Sequence, residues 1–173
     1  MITVNDLSFH YRQPIFENFD WQAAPGETWA VLGPSGCGKS TLLYLLAGLK
    51  LPAAGEIVIN GERITRPRPQ TGLILQDYGL LPWATVRENV ELGLKLRSFY
   101  GADGVHAPLT PDSKVSKRLK LESRETFDSV DRWLKRLGLA PVASQYPGQL
   151  SGGQRQRTAI ARTLVLEPDL LLM

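Results

Sequence analysis

The sequence predicts an α/β fold, and three observations carry that prediction. An apolar run from Thr28 to Leu32 (TWAVL) leads straight into a glycine-rich stretch and then into an apolar helical run. Two short strand-like runs flank Asn60-Gly61, the dipeptide that best fits a tight antiparallel turn. Two later helical segments open on side chains suited to capping, Thr85 and Ser151.

Composition narrows the function classes. The chain has 173 residues, 43% of them hydrophobic and 21% charged, which suits a globular domain with a real core. Its apolar runs stay short of the roughly 18 residues a membrane span needs. The N-terminal MITVNDLSFH shows no basic-then-apolar leader pattern. Cys37 is the one cysteine, which excludes an internal disulfide framework and a cysteine-rich zinc site. A net charge of +3 is too mild to argue nucleic-acid binding by itself. A soluble cytoplasmic protein is the starting expectation.

Taken in order, Ile2 to Phe9 alternates apolar and polar residues, the pattern of a half-buried strand. Pro25-Gly26 is a turn, and Thr28 to Leu32 is expected to be a short buried strand. Gly33 to Thr41 (GPSGCGKST) follows, then a helix through Leu42 to Ala47 that stops at Gly48. Glu56–Ile59 and Glu62–Ile64 form the predicted hairpin. Arg66 to Pro69 (RPRP) is a stiff connector, and Gly72 to Leu75 is another buried strand ending at Gln76. Thr85-Val-Arg-Glu88 is a capping box opening a helix from Val86 to Phe99. Tyr100 to Glu122 reads as an exposed insertion, part loop and part polar helix. Its basic cluster (Lys114, Lys117, Arg118, Lys120) suits a solvated face or a patch for lipid headgroups or a partner. Phe127, Val130, Trp133, Leu134 and Leu137 share one helical face, closed by Gly138 and Pro141. Ser151 caps a last helix over Gly152 to Val165, and Leu170 to Met173 begins a strand.

The chemistry concentrates in Gly33-x4-Gly38-Lys39-Ser40, which fits the phosphate-loop pattern. Glycines let the backbone curl so that successive N–H groups point at phosphate oxygens. The helix that begins near Lys39 adds its positive end. The Lys39 ammonium is expected on the β- and γ-phosphates and the Ser40 hydroxyl on Mg²⁺, with Thr41 placed to assist. A second stretch, Leu150-Ser151-Gly152-Gly153-Gln154, offers N–H groups at another helix N-terminus. Two phosphate-binding ends in one chain make sense if two copies face each other and each completes the other's site.

With both stretches in hand, the chain resembles the ATP-binding subunit of an ATP-binding cassette (ABC) transporter. GPSGCGKST resembles the Walker A motif, LSGGQ the signature motif, and Gln76 in LILQDYGLLPW the Q-loop glutamine. The resemblance implies an ABC-type P-loop domain of residues 1–173, with an N-terminal antiparallel β subdomain, a mostly parallel core sheet and a helical signature subdomain. Residues 100–122 stand outside it as an insertion. It implies ATP and Mg²⁺ as cofactors, with ATP hydrolysis coupled to transport. Lys39 and Gln76 take the catalytic roles, and Ser40 and Gln76 hold the metal. The nucleotide lies against Gly33, Pro34, Ser35, Gly36, Cys37, Gly38, Lys39, Ser40 and Thr41. Ser151, Gly152, Gly153 and Gln154 close over it from a second subunit, head to tail. In this family an aromatic residue stacks on adenine. Tyr11 stands at a fitting distance before the loop, with Phe9 and Phe16 as competitors. Cys37 occupies a variable slot of the loop and is not read as a nucleophile.

The stretch QDYGLLPWATVREN resembles the nitrate, sulfonate and taurine importer branch, with Leu80-Leu81-Pro82-Trp83 as the feature that carries it. The implied partners are membrane permease subunits docking on the Gln76–Trp83 region at the cytoplasmic face, with a solute-binding protein further out. The apolar run Leu170–Met173 matches the start of the family's Walker B strand, and its Asp and catalytic Glu do not follow. The chain is therefore expected to be C-terminally incomplete, leaving the Thr28–Leu32 and Leu170–Met173 runs short of a ladder neighbour, with turnover by the chain alone in doubt. The alternatives to an importer subunit are a nucleotide-binding module without turnover and an ABC ATPase outside transport. LSGGQ argues against a small-molecule kinase.

Overall fold

The computed structural model describes residues 1–100 and 128–173. The predicted insertion beyond Tyr100, its basic cluster and Phe127 lie outside the described residues. The chain divides into two compact units, Met1–Arg68 and Pro69–Met173, parting inside the stiff RPRP connector.

The first unit holds strands β1 (Ile2–His10), β2 (Pro14–Ala23), β3 (Ala54–Ile59) and β4 (Glu62–Arg63) in the antiparallel order β2-β1-β3-β4. Ile57 and Ile59 of β3 are buried two apart, as period-2 alternation requires, whereas Val4 and Leu7 of β1 are buried three apart across Asp6, which takes φ 48° where the β1–β2 register shifts. At the β3–β4 turn Asn60 and Gly61 both take positive φ, 51° and 84°, the backbone that twists with its flanking strands. Helix α1 (Lys39–Leu46) ends where Gly48 turns left-handed, and its amide bonds to the Leu45 carbonyl.

Two expectations change in this unit. Strand β2 has no counterpart in the sequence reading. Its alternation (Phe19, Trp21, Ala23) is interrupted at Asn18, which takes φ 47° where the β1–β2 register shifts. Thr28–Leu32, expected as a buried strand, is neither buried nor a strand. Trp29 is 55% exposed and Leu32 88%, and no described strand pairs with the segment. An apolar run becomes a strand only when a neighbour takes its N–H and C=O groups, and here none does.

The second unit holds a parallel pair, β5 (Thr71–Leu73) with β6 (Leu170–Leu172), in the register Thr71↔Leu170 to Leu73↔Leu172. Between them in sequence come α2 (Val86–Tyr100), α3 (helical over 128–136) and α4 (Gly152–Leu164), with 3-10 turns at Ala140–Val142 and Pro147–Gln149. The predicted Thr85–Glu88 capping box is present. Thr85 donates through its amide (2.7 Å) and hydroxyl (2.9 Å) to the Glu88 carboxylate, and the Glu88 amide donates back to the Thr85 hydroxyl. Those bonds hold the Glu88 carboxyl below its usual range. Val86 and Val90 of α2, Val130 and Leu134 of α3, Leu139, Leu150, and Ala161 and Val165 from α4 and its C-cap form one buried cluster. Each full aliphatic side chain there contributes about 1.5–3 kcal/mol on leaving water. The Val130–Leu137 face is therefore the core face predicted, with Trp133 and Leu137 partly buried at its edge.

Candidate functional site

In the first unit the Gly33–Ser40 loop brings several amide donors together at the start of α1. Gly36 takes φ 83° and Gly38 φ 98°, so the chain curls rather than extends. Nothing would stand within 4 Å of a Cβ on Gly36. One on Gly38 would meet Ile15 at 2.6 Å and Phe16 at 3.1 Å. Gly38 is thus required both for its φ and for its close packing. Within the loop the Cys37 amide reaches the Pro34 carbonyl at 3.4 Å. Among the described residues no acceptor takes the amides of Gly36, Gly38, Lys39 or Ser40. These exposed donors at the start of α1 form an anion cradle.

Lys39 supplies the cation. Its Nζ donates to the carbonyls of Gly33 (2.9 Å) and Pro34 (2.7 Å), which ties the ammonium across the loop it would serve. The Cys37 Sγ lies 3.8 Å from that Nζ and is exposed. Ser35 and Ser40 are exposed, whereas Thr41 is 8% exposed and packed with Leu42 and Leu45 among the buried residues of α1. The hydroxyl open to a Mg²⁺ ion is therefore that of Ser40, the oxygen type this hard cation takes, beside phosphate oxygens. Among the aromatics, Phe16 has its ring edge against Gly38 and also lines an open cleft with Phe9, His10 and Pro14. Tyr11 is 52% exposed, edge-on to Phe9, with the Lys50 Nζ 4.9 Å from its ring centre.

In the second unit Gln76 is exposed just beyond β5, on a loop closed by the Tyr78 amide to the Leu75 carbonyl at 3.0 Å. Ser151 caps α4 as predicted. Its hydroxyl accepts from the Gln154 amide (3.3 Å), and its amide donates to Gln154 Oε1 (2.8 Å). The Gln154 side chain is thereby committed to the cap. The Gly152 and Gly153 amides have no acceptor among the described residues and face solvent. Leu80 and Leu81 are half-buried, but Trp83 is 74% exposed, so the LLPW segment presents one large apolar ring to water.

Two residues of this unit were not singled out from the sequence. Asn89, fully buried, uses its amide to bind the loop before α2, donating to the carbonyls of Leu81, Ala84 and Thr85 and accepting from the Leu81 amide at 2.8 Å. Arg162 of α4 donates to the carbonyls of Tyr78 and Gly79, both at 2.7 Å, on the Gln76 loop. Burial pulls its guanidinium pKa down and the nearby Asp77 carboxylate partly offsets that. An Asn before a Val at a helix start gives a weak signal for the first, and nothing local signals the second.

The ABC transporter family profile matches residues 16–173. The chain is 36% identical over 177 aligned residues to an aliphatic sulfonates import ATP-binding protein of Bacillus cereus, covering 99% of this chain and 61% of that protein. It is 40% identical over 157 residues to a nitrate import ATP-binding protein of Synechocystis, covering 91% of this chain and 51% of the relative. The chain thus spans between half and three fifths of the length of these relatives. A dimeric ATP-binding cassette solved in a post-hydrolysis state with ADP and Pi superposes with a TM-score of 0.77 at 27% identity, over 99% of this chain and 72% of that one.

Proposed function

The chain belongs to the ABC transporter family of ATP-binding proteins, and from that premise we propose that it is the ATP-binding part of an importer for a small anion of the sulfonate or nitrate kind. The observation that carries the proposal is the cradle of amides without an acceptor among the described residues, those of Gly36, Gly38, Lys39 and Ser40, with the Lys39 ammonium tied across it. These amides bind the polyphosphate, Lys39 offsets charge on its terminal phosphates, and the Ser40 hydroxyl would hold Mg²⁺, with Gln76 the further ligand that the family resemblance implies. Bound Mg²⁺ neutralises charge that develops on the phosphates. Tyr11 stacks on the base once Lys50 leaves its face. A second copy supplies Ser151, Gly152 and Gly153 head to tail, their open amides completing the anion site.

The membrane partner docks on the Gln76–Trp83 region. Among the described residues no helix is long and apolar enough to cross a membrane; on this reading the chain attaches through permease subunits at the cytoplasmic face. A solute-binding protein would deliver the anion to those permeases. An exposed indole beside half-buried leucines suits an apolar helix laid into a groove. Capture of this protein with solubilised membranes should bring down an integral membrane protein, and Trp83→Ala should cut that capture at least tenfold. Recovery of nucleic acid in its place, or capture indifferent to Trp83, would point to an ATPase outside transport.

The loop offers an independent check. Cys37 is exposed and 3.8 Å from the Lys39 ammonium, so an alkyl group there fills the cradle. Alkylation should abolish ATP binding, and MgATP should protect the thiol. Fully labelled protein that binds ATP normally would contradict this placement.

A further inference from the structure

The loop bearing Gln76 leaves β5 and enters a left-handed turn. Ile74 still donates to the Leu172 carbonyl at 2.9 Å, but Gln76 and Asp77 are exposed. Tyr78 and Gly79 then take φ 65° and 54°, two successive left-handed residues of which one carries a side chain. Such a turn persists only where its surroundings hold it. Besides the Tyr78 amide on the Leu75 carbonyl, a side chain reaches it from 83 and 84 residues away. Arg162 donates through Nη1 to the Gly79 carbonyl and through Nη2 to the Tyr78 carbonyl, each at 2.7 Å. A guanidinium suits this task because its fork delivers two parallel N–H bonds in a fixed plane. Its helix, α4, is the one that begins at the Ser151 corner and is anchored by Ala161 and Val165 in the unit's core.

We propose that Arg162 is a positioning residue for Gln76: it braces the Tyr78–Gly79 turn from α4, so that the Gln76 loop and the Ser151 corner move as one piece. The proposal rests on the reading of Gln76 as a contact to the Mg²⁺-bound nucleotide. On that reading, a shift of the docking loop carries the signature corner with it, and nucleotide contact at that corner is felt at the docking loop.

The test has two arms on Arg162→Ala and Arg162→Lys. By hydrogen exchange without nucleotide, amides of residues 76–80 should exchange at least tenfold faster in the Ala variant. The Lys variant should fall between, since an ammonium reaches one carbonyl well and not two. The core amides of Val90 and Leu134 should keep their protection. In the second arm, the Mg²⁺-dependent gain in ATP affinity is measured in a cycle with Gln76→Ala. If Arg162 acts through Gln76, adding Arg162→Ala to Gln76→Ala changes that gain less than twofold. Unaltered exchange at 76–80, core amides loosening in step, or multiplying effects in the cycle would each overturn the proposal. A wild-type protein without Mg²⁺-dependent ATP binding would overturn the nucleotide reading instead, and the exchange arm would still decide the brace.

Discussion

Asn89→Ala is expected to lower the free energy of unfolding by about 3 kcal/mol. The side chain is fully buried and makes hydrogen bonds of 2.8 to 3.1 Å to Leu81, Ala84 and Thr85. Its removal leaves the Leu81 amide and the Leu81 and Ala84 carbonyls without this partner, and each buried group left unsatisfied costs about 1–3 kcal/mol. A small void adds to the loss. Against a total stability of about 5–15 kcal/mol, that is a large fraction. Denaturant unfolding should give a lower midpoint at an unchanged slope, and a shift below about 0.5 kcal/mol would refute the assignment. The same bonds set the path of the Leu81–Ala84 loop, which displays Trp83. Thus the fold's polar anchor and the proposed docking surface are one structure, and membrane capture should fall with stability.

What could be read from the sequence was local. The Asn60-Gly61 turn was legible because both residues must take positive φ in a two-residue hairpin, a demand few dipeptides meet. The Thr85–Glu88 box and the Ser151 cap were legible because donor and acceptor stand three residues apart, while the return bond from the Ser151 amide to the Gln154 side chain was added by the structure. The glycine-rich loop was legible for the same reason, since its spacing and the helix that follows it lie within one stretch of chain. Strand β2 was hidden by the left-handed Asn18, which breaks the alternation that marks a strand. Thr28–Leu32 misled because apolarity is written in the residues, while a ladder partner belongs to the rest of the fold. Arg162 was invisible for a related reason: its acceptors are main-chain carbonyls, which every residue carries and no sequence pattern flags.

Within the site itself, the weight falls on Lys39. Its ammonium bonds the Gly33 and Pro34 carbonyls of the loop, and on the proposed reading the outer phosphates of a nucleotide take it up. Charge-assisted hydrogen bonds contribute about 1.5–3 kcal/mol each, and 1.4 kcal/mol is a factor of ten in affinity. Truncation to alanine removes the charge and unties the loop together, so affinity for MgATP should fall by about 100-fold. The side chain is not part of the buried cluster that holds either unit together, so the thermal transition should stay in place. Equilibrium titration of the wild-type and Lys39→Ala proteins with MgATP, at matched folding, is the direct measurement. The account predicts a loss of about two orders of magnitude; an unchanged dissociation constant would contradict it.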